Sequence, residues 1–380
     1  MTSRLYPTTR WLFNQVCKQL QRLSLMSVLP PLSFGLLAVY VCGLLLLDRR
    51  QNGTHIADWF PARAHDALNR LLNHAGLSTR SLFRAVIAWA QRIGRGYLVV
   101  DEVVIPKPYL YQSGWVGFIW STSERRAVRG LCAVVVLFCV GRWRIPVAFR
   151  LWRPKGNCAR ESYCTRTELA WEMLLELAAS GLEVAFVSFD NFYTAGWLTK
   201  RLTRLGWQWV GRVESKTTIC YRHRTWKAQE LAVWLKLKWR QALALQARTI
   251  VAYLPKYGTL RLVVTKNRHG NFEILVTNAL DSDLSQIVAR KRQRWSVETL
   301  FRDAKQFCGL AACQCRKEAA VVRHIAFVLL AFLVLQLLRR YPTETLGAVK
   351  QRLQREVLVN QCPVPRMLIG KVASDHLLSA

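Results

Sequence analysis

Two aspartates in this chain stand where metal-dependent chemistry could be carried out. Asp101 follows the apolar stretch Tyr97–Val100, and Asp190 follows the apolar stretch Val184–Phe189. Each is therefore expected at the carboxyl end of a core strand, where ligand sites of open α/β sheets lie. An aspartate after a strand also serves simply to begin a loop, but the chain has only 23 Asp and Glu residues. Because strand side chains alternate, only one of Asp101 and Glu102 is expected to face such a site.

The segment Arg292–Lys305 supplies a third carboxylate. At ~100° per residue, Arg294, Glu298 and Lys305 fall within about 40° of each other on one helical face. One helix would then present a carboxylate between two cations, although ordinary surface ion pairs use the same spacing. Trp295, beside this face, could stack on an unpaired base, but it is expected to fill core, because tryptophan mostly serves packing.

This segment resembles the Y-x2-R-x3-E-x6-K signature of one branch of bacterial insertion-sequence transposases, which belong to the RNase H-like DDE class. Arg294, Glu298 and Lys305 match its last three positions, whereas Lys291 stands at the position of its tyrosine. The resemblance extends in the correct order from about residue 97 to 340. It includes the family's two aspartate strands and a following strand, here Val99–Pro108, Phe189–Tyr193 and Gly206–Arg212.

The resemblance implies an enzyme that cuts and joins DNA, with Asp101, Asp190 and Glu298 as catalytic residues and metal ligands. Three convergent carboxylates suit Mg²⁺ or Mn²⁺, and two such ions about 4 Å apart activate an attacking oxygen and stabilise the leaving one. In this hypothesis Asp101 bridges both ions, and Asp190 and Glu298 each bind one of them. The nucleophile is first water and then the 3′-hydroxyl of the transposon end.

The same segment supplies the expected DNA contacts. Arg294 and Lys305 are expected to contact phosphates near the scissile bond, the first as a two-pronged clamp and the second as a point charge. Arg302 and Lys291 are further DNA-binding candidates. The implied partners are double-stranded DNA, both transposon ends and target, and a second copy of the chain, since two ends must be brought together.

The charge of the whole chain agrees with a nucleic-acid partner. Its 55 Lys and Arg residues outnumber 23 Asp and Glu residues, which gives a net charge of +32. Each basic cluster by itself is typical of a solvated surface. An excess of this size, spread along the chain, instead indicates a protein that binds a polyanion over several faces.

The predicted fold class is α/β, an RNase H-like mixed sheet flanked by helices, interrupted by a β-rich insertion and preceded by a helical domain. Apolar runs predict an antiparallel start to the sheet, at 97–100, 128–140 and 145–152. A helix at 165–179, the strand 184–189, a helix at 195–205 and a strand at 207–213 follow. The Glu298 helix is expected to run from 284 to 307, before a long apolar helix ending near 340.

Five segments are predicted from these elements. Residues 1–95 form a helical, DNA-binding domain, in which helices are expected at 32–47, 57–72 and 81–93; a purely structural cap is the alternative. Residues 96–215 begin the catalytic domain, 216–284 form the β-rich insertion, 285–340 complete the catalytic domain, and 341–380 form a C-terminal tail.

Two apolar runs and the cysteines bear on the compartment. The runs Leu32–Leu47 and Ile325–Leu338 are shorter than the ~20 residues that cross a bilayer, so they are expected to be buried core helices without a membrane partner. The 11 cysteines lack regular spacing and no secretory signal is evident, which favours reduced thiols in a bacterial cytoplasm. Cys308, Cys313 and Cys315 lack a second ligand pair for zinc.

Other function classes remain as alternatives. A metal-dependent nuclease of the same fold that does not transpose would share the carboxylates, and a catalytically inactive DNA-binding copy would agree with Lys291 at the tyrosine position. A basic membrane-associated protein would use the apolar runs as anchors. No phosphate-binding G-x4-G-K-[ST] loop and no zinc- or serine-hydrolase motif occurs.

Overall fold

The computed structural model describes residues 7–49, 51–60, 65–74, 76–110, 113–121, 124–266 and 270–359. They divide into two compact units: Phe83–Arg302 form one, and the described residues of Met1–Leu82 and Asp303–Ala380 form the other. Of the predicted tail 341–380, residues 360–380 lie outside the described residues, and a helix occupies Leu346–Val359.

The unit Phe83–Arg302 is built on a mixed sheet. Its strands are β1 Gly96–Pro106, β2 Gly117–Ser121, β3 Arg126–Val140, β4 Trp143–Trp152, β5 Val184–Phe189, β6 Trp209–Val213, β7 Thr218–Tyr221, β8 Arg224–Lys227, β9 Lys238–Arg240, β10 Leu245–Leu254, β11 Gly258–Lys266 and β12 Phe272–Thr277. The order is β2-β3-β1-β5-β6-β12-β11-β10-β7-β8, with β4 on β3 and β9 on β10. The predicted insertion hairpins thus continue the main sheet through β12, while β2 and β7 to β9 were not predicted.

Parallel pairing is confined to the middle of this sheet. β1 pairs with β5 and β5 with β6 in parallel, whereas the other strand pairs are antiparallel. The predicted antiparallel start is confirmed, because β3 pairs with both β1 and β4. β5 is buried over Phe186–Phe189, as expected for a strand covered on both faces.

Helices accompany the sheet within the same unit. They are α6 Arg166–Ala179, α7 Gly196–Arg204, α8 Ala228–Trp234 and α9 Leu284–Gln293; α5 Thr79–Gln91 and α10 Trp295–Phe307 begin or end in the other unit. α6 starts at a capping box in which the Thr165 and Glu168 side chains satisfy each other's backbone N–H groups. The predicted mixed α/β sheet flanked by helices is confirmed.

Two predicted helices are each divided in the structure, and one predicted strand is longer. The expected helix 284–307 breaks at Arg294, where the amides of Arg294 and Val297 bond to carbonyls only three residues earlier. The expected helix 57–72 is instead α3 Gly53–Trp59 and α4 His65–Asn73, with residues 61–64 outside the described ranges. β1 does not end before Asp101, because pairing with β3 continues to Pro106.

The other unit is helical, with α1 Pro7–Arg22, α2 Pro31–Leu46, α3, α4, α11 Glu318–Leu337 and α12 Leu346–Val359. α11 is longer than the apolar run in the sequence, and by length and composition it could cross a membrane. Within its most apolar 18-residue window 94% is buried, the helix packs against α2 and α4, and His324 on it bonds to the Tyr40 hydroxyl at 2.8 Å. That environment agrees with the expected core helix. Whether these helices bind DNA stays a prediction.

Candidate active site

The register of two strands brings the two predicted aspartates together. In the parallel pair, Val100 of β1 lies beside Phe189 of β5, so the next residues, Asp101 and Asp190, are neighbours. β5 ends there while β1 continues, which places both carboxylates where the parallel pairing stops. One oxygen of Asp190 accepts hydrogen bonds from the amides of Phe192 and Tyr193, at 3.0 and 3.2 Å, which fixes the carboxylate in the turn.

Arg294 joins the third carboxylate to the first. Its guanidinium donates to Asp101 Oδ2 at 2.7 Å and also to Glu298 Oε1. The other oxygen of Asp101 accepts from the Glu102 amide at 2.9 Å. The break between α9 and α10 puts Arg294 at the junction of the two helices, with Glu298 in the first turn of α10. Asp101 therefore lies beside Asp190 and shares Arg294 with Glu298, so that a cation stands between the first and the third carboxylate.

The electrostatics of this place favour a bound cation. The pKa of the Asp101 carboxyl is raised to about 7, chiefly by burial and next by the charge of Asp190, against the lowering effect of Arg294. Crowded carboxylates of this kind are relieved by a hard, oxygen-preferring ion such as Mg²⁺ or Mn²⁺. Among the described residues, no group of three or more His, Cys, Asp and Glu side chains is placed to hold a metal ion. The donor set fits such an ion, and Glu298 would have to exchange its bond with Arg294 for it.

Glu102 forms a second polar network beside the aspartates. Its two oxygens accept from the Arg166 guanidinium of α6 and from the Tyr193 hydroxyl. Burial raises the pKa of Glu102, and Arg166 and Tyr193 act against that rise. Arg166 also lies over the Phe192 ring at 4.3 Å. Glu102 thus ties β1 and α6 to the turn that holds Asp190, a role that the sequence alone did not reveal.

Replacing Glu102 with glutamine is expected to lower the free energy of unfolding by about 1–3 kcal/mol, because it leaves Arg166 without its charged partner. Metal-dependent DNA cleavage is also expected to fall, since the turn carrying Asp190 loses its attachment. Urea denaturation and a cleavage assay measure the two effects. Tyr193→Phe removes one contact only, and unchanged values in both variants would contradict a positioning role.

The remaining predicted site residues have separate environments. The Lys291 ammonium bonds to Glu273 Oε1 at 2.9 Å, Arg302 is exposed on α10, and Lys305 is half-buried farther along that helix. Trp295 is 63% exposed, so the expectation that it fills core is wrong; it begins α10 with its ring outward. The three cysteines that could have suggested zinc do not form a metal cluster in the described part of the chain.

Comparison with known families agrees with this geometry. The family model for DDE superfamily endonucleases matches residues 33–230, just over half of the chain, and a transposase DDE domain model matches residues 164–334. No curated protein matches the chain. The two matches together span both aspartates, the sheet and the Glu298 helix, and the fold agrees with the RNase H-like architecture predicted from the sequence. The chain therefore belongs to the DDE superfamily of endonucleases, in its transposase class.

Proposed function

We propose that this chain is a bacterial insertion-sequence transposase that cuts element ends and joins them to target DNA in the cytoplasm. The observation that supports it best is the arrangement of the carboxylates: Asp101 on β1 lies beside Asp190 at the end of β5, and Arg294 joins Asp101 to Glu298 on α10. Two aspartates and a glutamate on these elements suit phosphodiester hydrolysis and strand transfer in a protein of net charge +32.

The three carboxylates would hold Mg²⁺ or Mn²⁺, which when bound supplies Lewis-acid stabilisation of phosphoryl charge and eases deprotonation of the attacking oxygen. Asp190 is held for this task by the amides of Phe192 and Tyr193. Arg294 keeps Asp101 and Glu298 close before an ion binds. If Glu298 ligated the ion, the Arg294 guanidinium would be free to contact a phosphate, because its fork geometry suits two phosphate oxygens.

The proposed partners are double-stranded DNA and a second copy of the chain. Arg294, Lys305, Arg302 and Lys291 remain the proposed DNA-contacting residues of the signature segment. The Lys291 ammonium reaches Glu273 in the β-rich segment, so a residue at the tyrosine position already links α9 to β12. Dimerisation is proposed because joining two ends to one target requires two active sites.

The experiment that tests this function is cleavage of a supercoiled plasmid carrying the flanking element ends. Protein is incubated with the plasmid in Mg²⁺, in Mn²⁺ and in EDTA, and the cut sites are mapped to the nucleotide. The Asp190→Ala variant, purified in the same way, controls for contaminating nuclease. Metal-dependent cuts at the element ends, absent from the control, are expected.

The other outcomes separate the alternatives. Metal-dependent cuts spread over the plasmid would identify a nuclease of the same fold that does not transpose. DNA binding without cleavage in either metal would identify an inactive copy. Equal cleavage by Asp190→Ala would contradict the assignment of the active site.

A further inference from the structure

A basic groove runs along the β-rich segment of the unit Phe83–Arg302. Its largest part, about 1200 Å³, lies between Asn191, next to the catalytic candidate Asp190, and the strands β6 and β12. It shares Asn191 and Arg212 with a second cavity of about 630 Å³, and Glu273 and Arg292 with a third of about 490 Å³. We call these three cavities, which share lining residues, the insertion groove.

The groove leads to the candidate active site at one end. Its third cavity is lined by Arg294, whose guanidinium bonds to Asp101 and Glu298, and by the exposed Trp295. Asn191, which lines the first cavity, directly follows Asp190. Asp101, Asp190 and Glu298 do not themselves line these cavities, but the chain neighbour of Asp190 and the bonded partner of Asp101 and Glu298 do.

The lining of the groove is strongly cationic. In the described residues it includes eight Lys and Arg side chains and two Glu side chains, Glu214 and Glu273. Besides Lys291 and Arg294, the cations are Arg212, Lys216, Lys227, Lys256, Lys266 and Arg292. Cations spaced along a groove suit a repeating polyanion such as a nucleic-acid backbone.

Glu273 occupies the middle of this cationic lining. Its Oε1 lies 2.9 Å from the Lys291 ammonium and 3.9 Å from Arg212 Nε, and its side chain is partly exposed. A carboxylate held by two cations takes the place that a phosphate would take with the same partners. It therefore competes with any phosphate that enters the groove.

From these contacts we propose that Glu273 is a built-in competitor for DNA in the insertion groove, because it pairs with Lys291 and Arg212 where a phosphate of a bound backbone would otherwise lie. Glu273 occupies one of the groove's phosphate positions while the protein is free. This inference rests on the proposed function for the identity of its ligand as DNA. The Lys291–Glu273 pair must open, or shift, when a phosphate approaches Lys291 and Arg212. Lys291 then serves the groove rather than the scissile bond itself.

The test measures how tightly the wild type and three variants bind a fluorescent duplex carrying an element end. Affinity is obtained from fluorescence anisotropy at a series of KCl concentrations in EDTA. The groove variant is Arg212→Gln with Lys216→Gln. Its matched control is Lys200→Gln with Arg204→Gln, two exposed positions on α7 that line none of the three cavities. The third variant is Glu273→Gln, which keeps the side-chain shape and removes the charge.

The groove variant is expected to bind more weakly, and the steepness of log K against log salt is expected to fall by about 1.8, or about 0.9 for each of two lost phosphate contacts to duplex DNA. Glu273→Gln is expected to tighten binding roughly fivefold at low salt, because a nearby like charge is removed. Equal losses in the groove and control variants, or unchanged affinity in Glu273→Gln, would overturn the proposal. Should the groove variant fail to fold, Lys216→Gln with Lys266→Gln replaces it.

The plasmid assay keeps this proposal apart from the proposed function. Asp190-dependent cleavage at element ends, with groove variants that bind like the control, would reject the groove and leave the transposase. If the wild type never cleaves DNA but the groove variants bind it more weakly than the wild type does, the enzyme is rejected and a DNA-binding groove remains.

Discussion

Replacing Glu298 with glutamine is expected to reduce metal-dependent DNA cleavage by at least about 10³-fold, because metal-ion stabilisation of the reacting phosphate is worth several kcal/mol. Glutamine keeps the size of the side chain and one oxygen but lacks the negative charge that holds a divalent cation. DNA affinity measured in EDTA is expected not to fall, since the lost carboxylate repels phosphates and makes no favourable contact with them. Initial rates of plasmid cleavage and anisotropy titrations measure the two quantities.

The control for this variant is Glu172→Gln, which removes a carboxylate from an exposed position on α6. It is expected to cleave at the wild-type rate. Full cleavage by Glu298→Gln would remove Glu298 from the catalytic set and leave Asp101 and Asp190 with a different partner. A parallel loss in both variants would point to a general effect of lost acidic charge.

The neighbouring aspartates could be predicted because they depend on local sequence pattern. The buried run before Asp190 ends at Phe189, as predicted, and parallel pairing then places Asp101 beside it. The end of β1 could not be predicted in the same way. Val103 and Ile105 are buried, and their strand continues because β3 extends beyond β5, which is a property of the partner strand.

The contacts of Arg294 and Glu102 were beyond the reach of sequence pattern for another reason. Arg294 contacts Asp101 across 193 residues, and Glu102 contacts Tyr193 across 91. Helical spacing alone predicted that Arg294 and Glu298 share a face. It carried no information on the helix break at Arg294, which depends on what the guanidinium contacts in the folded chain.

The same distinction applies to Lys291. As a departure from the family signature it suggested a decayed copy, but its ammonium has a charged partner in Glu273 on β12. The sequence offered the two residues without a reason to pair them, since they lie on different elements. Their contact means that the lysine links α9 to β12. The branch of the family to which the signature assigned the chain stays a prediction.

Replacing Arg294 with glutamine is expected to change both catalysis and the response to metal. Cleavage should fall about 10²-fold or more, as when one donor to a developing oxyanion is removed. Without metal, the variant should unfold at a lower temperature than the wild type, because Asp101 and Glu298 lose the cation between them. Glutamine can donate to one of these carboxylates at most.

Mg²⁺ should then stabilise the variant more than the wild type. In the wild-type protein the ion competes with Arg294 for Asp101 and Glu298, whereas in Arg294→Gln it meets carboxylates that no guanidinium holds. Because stabilisation by a ligand rises with the ratio of its concentration to its Kd, the rise in Tm on adding Mg²⁺ reports this competition. Arg204→Gln, on α7, provides the control and should show the wild-type rise. An equal rise in all three proteins would mean that the guanidinium does not hold the place of the metal, and that Arg294 acts on the DNA alone.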